Sequence, residues 1–417
     1  MRNTPFWWIL VGVMGVLDLY VFQAVKALAA GASPKTKTIL YTAYWVFSGL
    51  AILFMIILPY LQFQHQSKSF RSTVFAVIAG LFFAKLVAAV FFLADDIRRL
   101  VQWAATRLFF NRQASAALAE GSERITRSAF LSWAGFVAGG GLFGSLIAGF
   151  SNKYRYQIKR HRLAFDKLPG GFRGLKIVQL SDIHSGSFTD KAAVLRGVEK
   201  VLAEKPDLIL FTGDLVNNTA DEMDDYVDVF SRLNAPLGVY STLGNHDYGD
   251  YVHWDSPEEK HANLERLKQV HAEMGWRLLV NEHVVLERGA DRIALIGVEN
   301  WSSKARFPKY GDLKRAYEGA GGHPFKILMS HDPSHWDAEV RSSYPDIDLT
   351  LAGHTHGMQF GVEIPGFRWS PVQYVYRQWA GLYETGTQKL YVNRGYGFIG
   401  YPGRVGILPE ITVFELT

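Results

Sequence analysis

Four apolar stretches dominate the first 150 residues, at about 5–28, 39–63, 74–94 and 129–150. Each is near or above the roughly 20 residues that a helix needs to cross the hydrocarbon layer of a membrane. A segment in lipid has no water to satisfy its peptide groups, so each stretch is committed to helix and the set to a bundle. A cleaved secretion signal does not account for four spans. The whole 417-residue chain has a mean hydropathy of only +0.02, so a polar unit must follow the apolar one.

Within this transmembrane domain, residues 1–150, the rings of Trp7, Trp8, Tyr44, Trp45, Tyr60 and Trp133 lie towards span ends, as interfacial belts do. Asp18 and Lys85 fall inside the first and third spans, where an ionisable side chain is costly. A mutual pair, or snorkelling that orients the bundle, is favoured over a substrate path or proton relay. The run Gly139-Gly140-Gly141 reads as close helix packing. Residues 97–118 carry Arg98, Arg99, Arg107 and Arg112 among Leu100, Val101, Trp103, Leu108 and Phe109. That pattern suits an amphipathic helix on the membrane surface, with a solvated connector as the alternative.

A basic juxtamembrane linker is expected at 151–165, and a second domain at 166–417. Through residue 165 the chain carries 18 Lys+Arg against 5 Asp+Glu, and beyond it 26 against 34. The first part is thus +13 and the second −8, so the basic membrane part suits anionic lipid headgroups and the acidic part is a poor nucleic-acid surface. Cysteine is absent, which removes disulfides and thiolate metal ligands. Positive charges on the two sides of the four spans nearly balance and do not choose an orientation.

From residue 174 the rhythm changes to short β-rich runs separated by helical stretches, the pattern of a layered α/β or α+β unit. Five polar runs follow apolar ones: Asp182-Ile183-His184, Gly213-Asp214, Gly244-Asn245-His246-Asp247, Ser330-His331-Asp332 and Gly353-His354-Thr355-His356. Any one of them alone is a common turn or helix start. Together they place carboxylates, an amide and several imidazoles at strand ends, a donor set for borderline divalent ions such as manganese, iron or zinc. Two such ions about 3.5–4 Å apart can grip a phosphoryl group and acidify a water.

At these residues the chain resembles the calcineurin-like metallophosphoesterases, whose pattern is D-x-H, G-D, G-N-H-[DE], H and G-H-x-H in this order. The resemblance implies two divalent metals, with Asp182, His184 and His356 on one, Asn245, His331 and His354 on the other, and Asp214 bridging. It also implies that a metal-activated hydroxide attacks phosphorus while His246 assists the leaving oxygen and Asp247 orients the His246 ring. The implied architecture is a two-sheet β-sandwich flanked by helices, joined to the four-helix transmembrane bundle. Over about residues 160–417 the chain is more similar still to a subgroup of bacterial membrane-associated phosphohydrolases, through Ser181 to His184, Thr212 to Asn217, Asn393-Arg394-Gly395 and Pro409-Glu410-Ile411-Thr412. That subgroup usually has a second glycine after the last histidine, where this chain has Gly357-Met358-Gln359.

Residues 124–131 resemble a degraded twin-arginine export signal, which points to an extracytoplasmic active site in a bacterial inner or plasma membrane. Arg394 is the expected substrate-phosphate contact and Arg404 a second candidate, with an ordinary ion pair as the alternative for either. His253, His261, His271 and His283 read as surface or helix-face residues, and His335 as packing near the site. The aromatic cluster Phe367, Trp369, Tyr374, Tyr376, Trp379, Tyr383 and Tyr391 suits either the membrane interface and an acyl-chain pocket or sheet-core packing. The expected activity is hydrolysis of a phosphate ester or pyrophosphate in a lipid or lipid-linked headgroup, with membrane lipids as partners and no nucleic acid. The alternatives are a UDP-diacylglucosamine-type pyrophosphatase of lipid A synthesis, which needs a cytoplasmic site, and a non-catalytic membrane sensor on the same fold.

Overall fold

The computed structural model describes residues 5–60, 68–109 and 128–417, and the chain divides into two compact units, Met1–Ala148 and Gly149–Thr417. Among the described residues of the first unit, four helices are long and apolar enough to cross a membrane: α1 (Pro5–Leu28), α2 (Pro34–Ile57), α3 (Lys68–Phe109) and α4 (Ala129–Gly149). Helix α2 starts where Ser33 accepts the Thr36 amide and Pro34 occupies the first turn, so it begins five residues before the expected span at 39–63. Helix α3 runs unbroken for 42 residues, about 63 Å at the usual rise. No glycine or proline follows Gly80 within it, so 97–109 continue the third span rather than start a separate surface helix. The rest of that expected helix, and residues 124–127 of the export-like segment, lie outside the described residues.

The intramembrane charges are paired. Asp18 is fully buried and its Oδ1 accepts from Lys85 Nζ, from Ser48 Oγ at 2.8 Å and from Tyr44 OH at 3.0 Å. A buried ion pair needs further donors to offset its desolvation, and Ser48 and Tyr44 supply them from α2. Tyr44 therefore faces the bundle interior and is not part of an interfacial belt. Close packing of α3 on α4 uses Gly135 and Gly139, where a Cβ would lie 2.7 Å from Phe92 and 2.4 Å from the Ala84 carbonyl. Gly140 and Gly141 have nothing within 4 Å, so only the first glycine of the triple run serves the contact.

The second unit is a sandwich of two six-stranded sheets. In the first the order is β1 (Gln157–Leu163), β14 (Glu410–Leu416), β2 (Lys176–Leu180), β3 (Leu208–Phe211), β4 (Val239–Ser241) and β5 (Arg277–Leu278). The second runs β12 (Gly381–Thr385), β13 (Gln388–Val392), β9 (Leu349–Ala352), β8 (Lys326–Met329), β7 (Asp291–Gly297) and β6 (Glu282–Arg288). A separate hairpin pairs β10 (Val362–Ile364) with β11 (Phe367–Trp369). Strand alternation sorts the core: Ile177, Leu210, Leu295, Ile327, Leu351 and Phe414 meet between the sheets. Val178, Leu180 and Phe211 turn the other way, onto Val194 and Val198 of α5 (Lys191–Ala203) and Leu267 and Val270 of α6 (Pro257–Glu273).

The expected linker at 151–165 is not one. Its residues 157–163 form β1, paired in parallel with β14 from Gln157↔Glu410 to Leu163↔Leu416. The positive charge that suggested a linker is the dress of an edge strand, where Lys and Arg discourage pairing with other chains. Arg160 and Arg162 point to Glu204 and Glu415 on the domain's own surface.

Candidate metal centre

The five polar runs follow the carboxyl ends of β2, β3, β4, β8 and β9, strands of both sheets, so their side chains converge at one end of the sandwich. The backbone there is unusual. Asp182, His184, Asp214, His354 and His356 all have positive φ, between 50° and 69°. Side chains seldom adopt this left-handed region, and a cluster of such residues is typical of sites where geometry is imposed by function. Close approach adds to it: a Cβ on Gly353 would lie 1.9 Å from Ser181 Oγ and 2.3 Å from Asp182 Oδ2.

Two groups of donors result, Asp182, His184 and His356 in one and Asp214, His331 and His354 in the other, with the ligand atoms of each within 4.8 Å of one another. In the first, His184 Nε2 lies 3.0 Å from His356 Nε2, and His356 Nε2 lies 3.2 Å from Asp182 Oδ1. In the second, His331 Nε2 is 3.1 Å from Asp214 Oδ2, and His354 Nδ1 is 3.3 Å from His331 Nε2 and 2.7 Å from Asn245 Oδ1. Asp214 Oδ2 also lies 3.5 Å from His184 Nε2, so this carboxylate stands between the groups. The structure thus brings together the residues expected on each metal, with Asn245 beside the second group through His354.

Backbone carbonyls set the tautomers. His184 Nδ1 faces the Val216 carbonyl at 3.2 Å and His331 Nδ1 faces that of Thr212 at 2.7 Å. A carbonyl only accepts, so each Nδ1 carries a hydrogen and each ring turns its Nε2 inward. His354 is turned round: its Nε2 lies 2.8 Å from Tyr376 OH, which donates to Asp332 Oδ2 at 3.1 Å, leaving Nδ1 for the centre. Burial opposes ionisation of Asp214, but His331, His246 and His184 outweigh it and hold the carboxyl well below its usual range. Burial drives His184 well below the usual imidazole value and lowers His354 as well. His331 goes the other way: burial lowers it, yet Asp214 and Asp182 lift it to about 10, so the buried carboxylates draw positive charge to this point. Carboxylate, amide oxygen and imidazole nitrogen donors without thiolate fit divalent ions of the first transition row.

Two sequence assignments change. Asp247 does not orient His246; its oxygens accept the amides of Asp214, Leu215, Val216 and Gly244 at 2.8–3.3 Å, bracing the loop that carries Asp214. His246 is held instead by the Asn217 carbonyl, 2.8 Å from its Nδ1. Arg394 is not free for substrate phosphate. It is 3% exposed, and its guanidinium donates to Glu410 and, at 2.7 Å, to Glu363. His271, read as a surface or helix-face residue, lies on the buried face of α6, against Ser241 Oγ at 3.0 Å. Arg404 is buried too, bonded to the Arg394 carbonyl at 2.7 Å and 3.3 Å from His356 Nδ1. His335 packs beside the site as expected, stacked on Trp301 and bonded to Ser330 at 2.8 Å.

A cavity of about 220 Å³ opens over the centre, lined by His184, Asp214, Asn245, His246, His354 and His356 together with Tyr251, Arg306, Phe307 and Ile399. The sequence reading missed this second set. Tyr251 accepts from Asn245 Nδ2 at 2.8 Å and lies against the His246 ring. Arg306 belongs to the loop after β7, where Lys304, Arg306 and Lys309 alternate with aromatic residues in a signal open to reading.

Two family models match. The one described as "Probable Calcineurin-like phosphoesterase, transmembrane domain" covers residues 1–153, and "Calcineurin-like phosphoesterase" covers 175–358. Metallophosphoesterase YkuE of Bacillus subtilis is 31% identical over 298 residues, which span 66% of this chain and 95% of that one. The chain belongs to the calcineurin-like metallophosphoesterases. It is similar as well to phosphodiesterase YaeI of Escherichia coli, 29% identical over 63% of this chain and 88% of that protein. UDP-2,3-diacylglucosamine pyrophosphatase LpxG of Chlamydia muridarum is 29% identical over 55% of this chain and 81% of its own length. The protein is accordingly a membrane-borne, metal-dependent phosphoester hydrolase of this family.

Proposed function

We propose that the protein hydrolyses a phosphate ester or pyrophosphate bond in a lipid or lipid-linked headgroup. The observation that carries this reading is a small site on a membrane-anchored chain. A cavity of about 220 Å³ receives a phosphoryl group and its immediate neighbours, so the bulk of a larger substrate stays outside it. Asp182, His184 and His356 would hold one divalent ion and Asn245, His331 and His354 the other, with Asp214 shared. Such a pair, when bound, supplies Lewis acidity that acidifies water and offsets charge on phosphoryl oxygens.

The chain's own residues supply orientation and proton transfer. The Asn217 carbonyl holds the Nδ1–H of His246, so the second proton of the imidazolium form sits on Nε2 and passes from there to the leaving oxygen. Arg306, on the cavity wall, takes the phosphate-binding role that Arg394 cannot, because a guanidinium offers two parallel donors to phosphate oxygens. The similarity to LpxG favours one second reading, a pyrophosphatase acting on UDP-diacylglucosamine, which requires a cytoplasmic site. The orientation proposed here is extracytoplasmic.

The test is turnover by full-length protein in mixed micelles with Mn²⁺, comparing long-chain lipid phosphomonoesters, diesters and pyrophosphates with water-soluble short-chain counterparts. The reading expects at least tenfold higher kcat/KM for one long-chain class. Equal or better turnover of the soluble counterparts would overturn it. Release of UMP from UDP-diacylglucosamine as the fastest reaction would favour the second reading. A single cysteine introduced at Tyr310, labelled in intact cells by a membrane-impermeant maleimide, reports the side.

A further inference from the structure

The β10–β11 hairpin is built inside out for a structure in water. Its register pairs Val362 with Trp369, Glu363 with Arg368 and Ile364 with Phe367, so alternation puts four apolar side chains on one face and a single charged pair on the other. The charged pair turns to the domain. Glu363 accepts from Arg394 at 2.7 Å and Lys159 at 3.2 Å, while Arg368 donates to the Ala380 carbonyl with its guanidinium 5.1 Å from the centre of the Tyr383 ring. The apolar face turns away: Val362 is 42% exposed, Ile364 59% and Phe367 54%. On the turn that follows, Tyr374 is 77% and Val375 58% exposed. An antiparallel ribbon with one face in water shows the reverse order, polar out and apolar in.

The hairpin also lies beside the point where the chain leaves the membrane. Gly149 ends α4, the fourth span, and its carbonyl accepts the Arg404 amide at 3.0 Å, while the Phe150 ring packs on Tyr401 at 5.6 Å. The next residue, Val405, donates its amide to Gln359 at 2.8 Å and accepts that of Gly361 at 2.9 Å. Strand β10 starts one residue later, and the tip at Ile364 is about 10 Å further along at 3.3 Å per residue. Covalent continuity holds residue 149 at the membrane boundary, and the headgroup layer on each side of the hydrocarbon is itself roughly 5–8 Å deep.

We propose that the β10–β11 hairpin and the turn after it are an interfacial anchor whose apolar face, led by Ile364 and Phe367, sits in the headgroup layer of the bilayer. Tyr374 and Trp369 suit that layer, where amphipathic rings concentrate. The anchor would fix the strand end carrying His354 and His356 close to the lipid surface, since the hairpin begins six residues after His356. It does not depend on which substrate is cleaved.

The chain has no cysteine, so a single engineered one is a clean probe. Full-length Ile364→Cys, labelled with an environment-sensitive fluorophore, would be reconstituted into phosphatidylethanolamine/phosphatidylglycerol vesicles containing lipid with a nitroxide at a shallow acyl position. Phe367→Cys serves as a second probe site, and Val285→Cys, 38% exposed on β6, as the reference. The expected result is a blue shift at 364 and 367 and at least twofold stronger quenching than at 285. Quenching at both hairpin sites no greater than at 285 would overturn the proposal. A blue shift without quenching would also overturn it, by assigning the face to a second copy or another protein.

Discussion

Substitution Gly353→Ala tests how tightly the centre is built. Real Cβ atoms essentially never approach other atoms closer than 3.0 Å, whereas a Cβ at this position would lie 1.9 Å from Ser181 Oγ and 2.3 Å from Asp182 Oδ2. The first gap must open by about 1.1 Å and the second by about 0.7 Å. Ser181 can rotate its hydroxyl away. Asp182 cannot yield as cheaply, because both its oxygens accept the His354 amide at 3.0 Å and its backbone sits at φ 53°. A displacement of the order of 1 Å in a reacting constellation costs roughly 100-fold in rate. The expected outcome for detergent-purified protein is a 10–100-fold loss of kcat with weakened metal retention, measured by turnover and by metal analysis after gel filtration. Gly322→Ala, with nothing within 4 Å, serves as the control and should keep parental activity. Activity of Gly353→Ala within twofold of the parent would refute the reasoning.

Three further outcomes follow from the geometry. Arg394→Met leaves Glu410 buried without its cation and should destabilise the phosphoesterase domain by about 3–5 kcal/mol, roughly 10 °C in Tm, while KM changes little; an unchanged Tm with a large rise in KM would restore Arg394 to the substrate. Arg306→Ala should do the opposite, raising KM for a phosphodiester about tenfold at unchanged Tm, as steady-state kinetics and a melting curve would show. His271 is held down to about 3 by burial, below the 6.5 of an exposed histidine, so the unfolded chain takes up a proton that the folded one refuses. Its stability contribution is complete above pH 6.5 and declines as pH falls towards 3, by about 2 kcal/mol at pH 5. Denaturant melts of the parent and His271→Gln across pH 5–8 should differ in slope by up to one proton, and parallel curves would contradict the assignment.

The metal ligands were legible because each is announced locally, by an apolar run that ends in a small residue and a polar group. The ends of β2, β3, β4, β8 and β9 carry the ligands, each where such a run stops. Arg394 shows where such reading stops. A guanidinium beside a motif looks the same whether it faces phosphate or carboxylate, and its partners Glu410 and Glu363 lie 16 and 31 residues away. Strand β1 was hidden because the edge of a sheet wears the charges of a linker. His271 was open to better reading: Leu267, Val270, His271 and Met274 follow the i, i+3, i+4, i+7 spacing of a buried helix face. The aromatic cluster divides between its two readings, with Tyr376, Trp379 and Tyr391 buried and Phe367 and Tyr374 exposed, a partition that depends on hairpin register and not on composition.

Asp214 is the residue on which the account turns, since its carboxylate lies 3.1 Å from His331 and 3.5 Å from His184 and joins the two donor groups. The most direct test is the rate of bis-p-nitrophenyl phosphate hydrolysis by the full-length protein and by Asp214→Asn, in detergent with saturating Mn²⁺. A two-metal hydrolase predicts at least a 100-fold loss of kcat in the variant. Equal rates in parent and variant would contradict it.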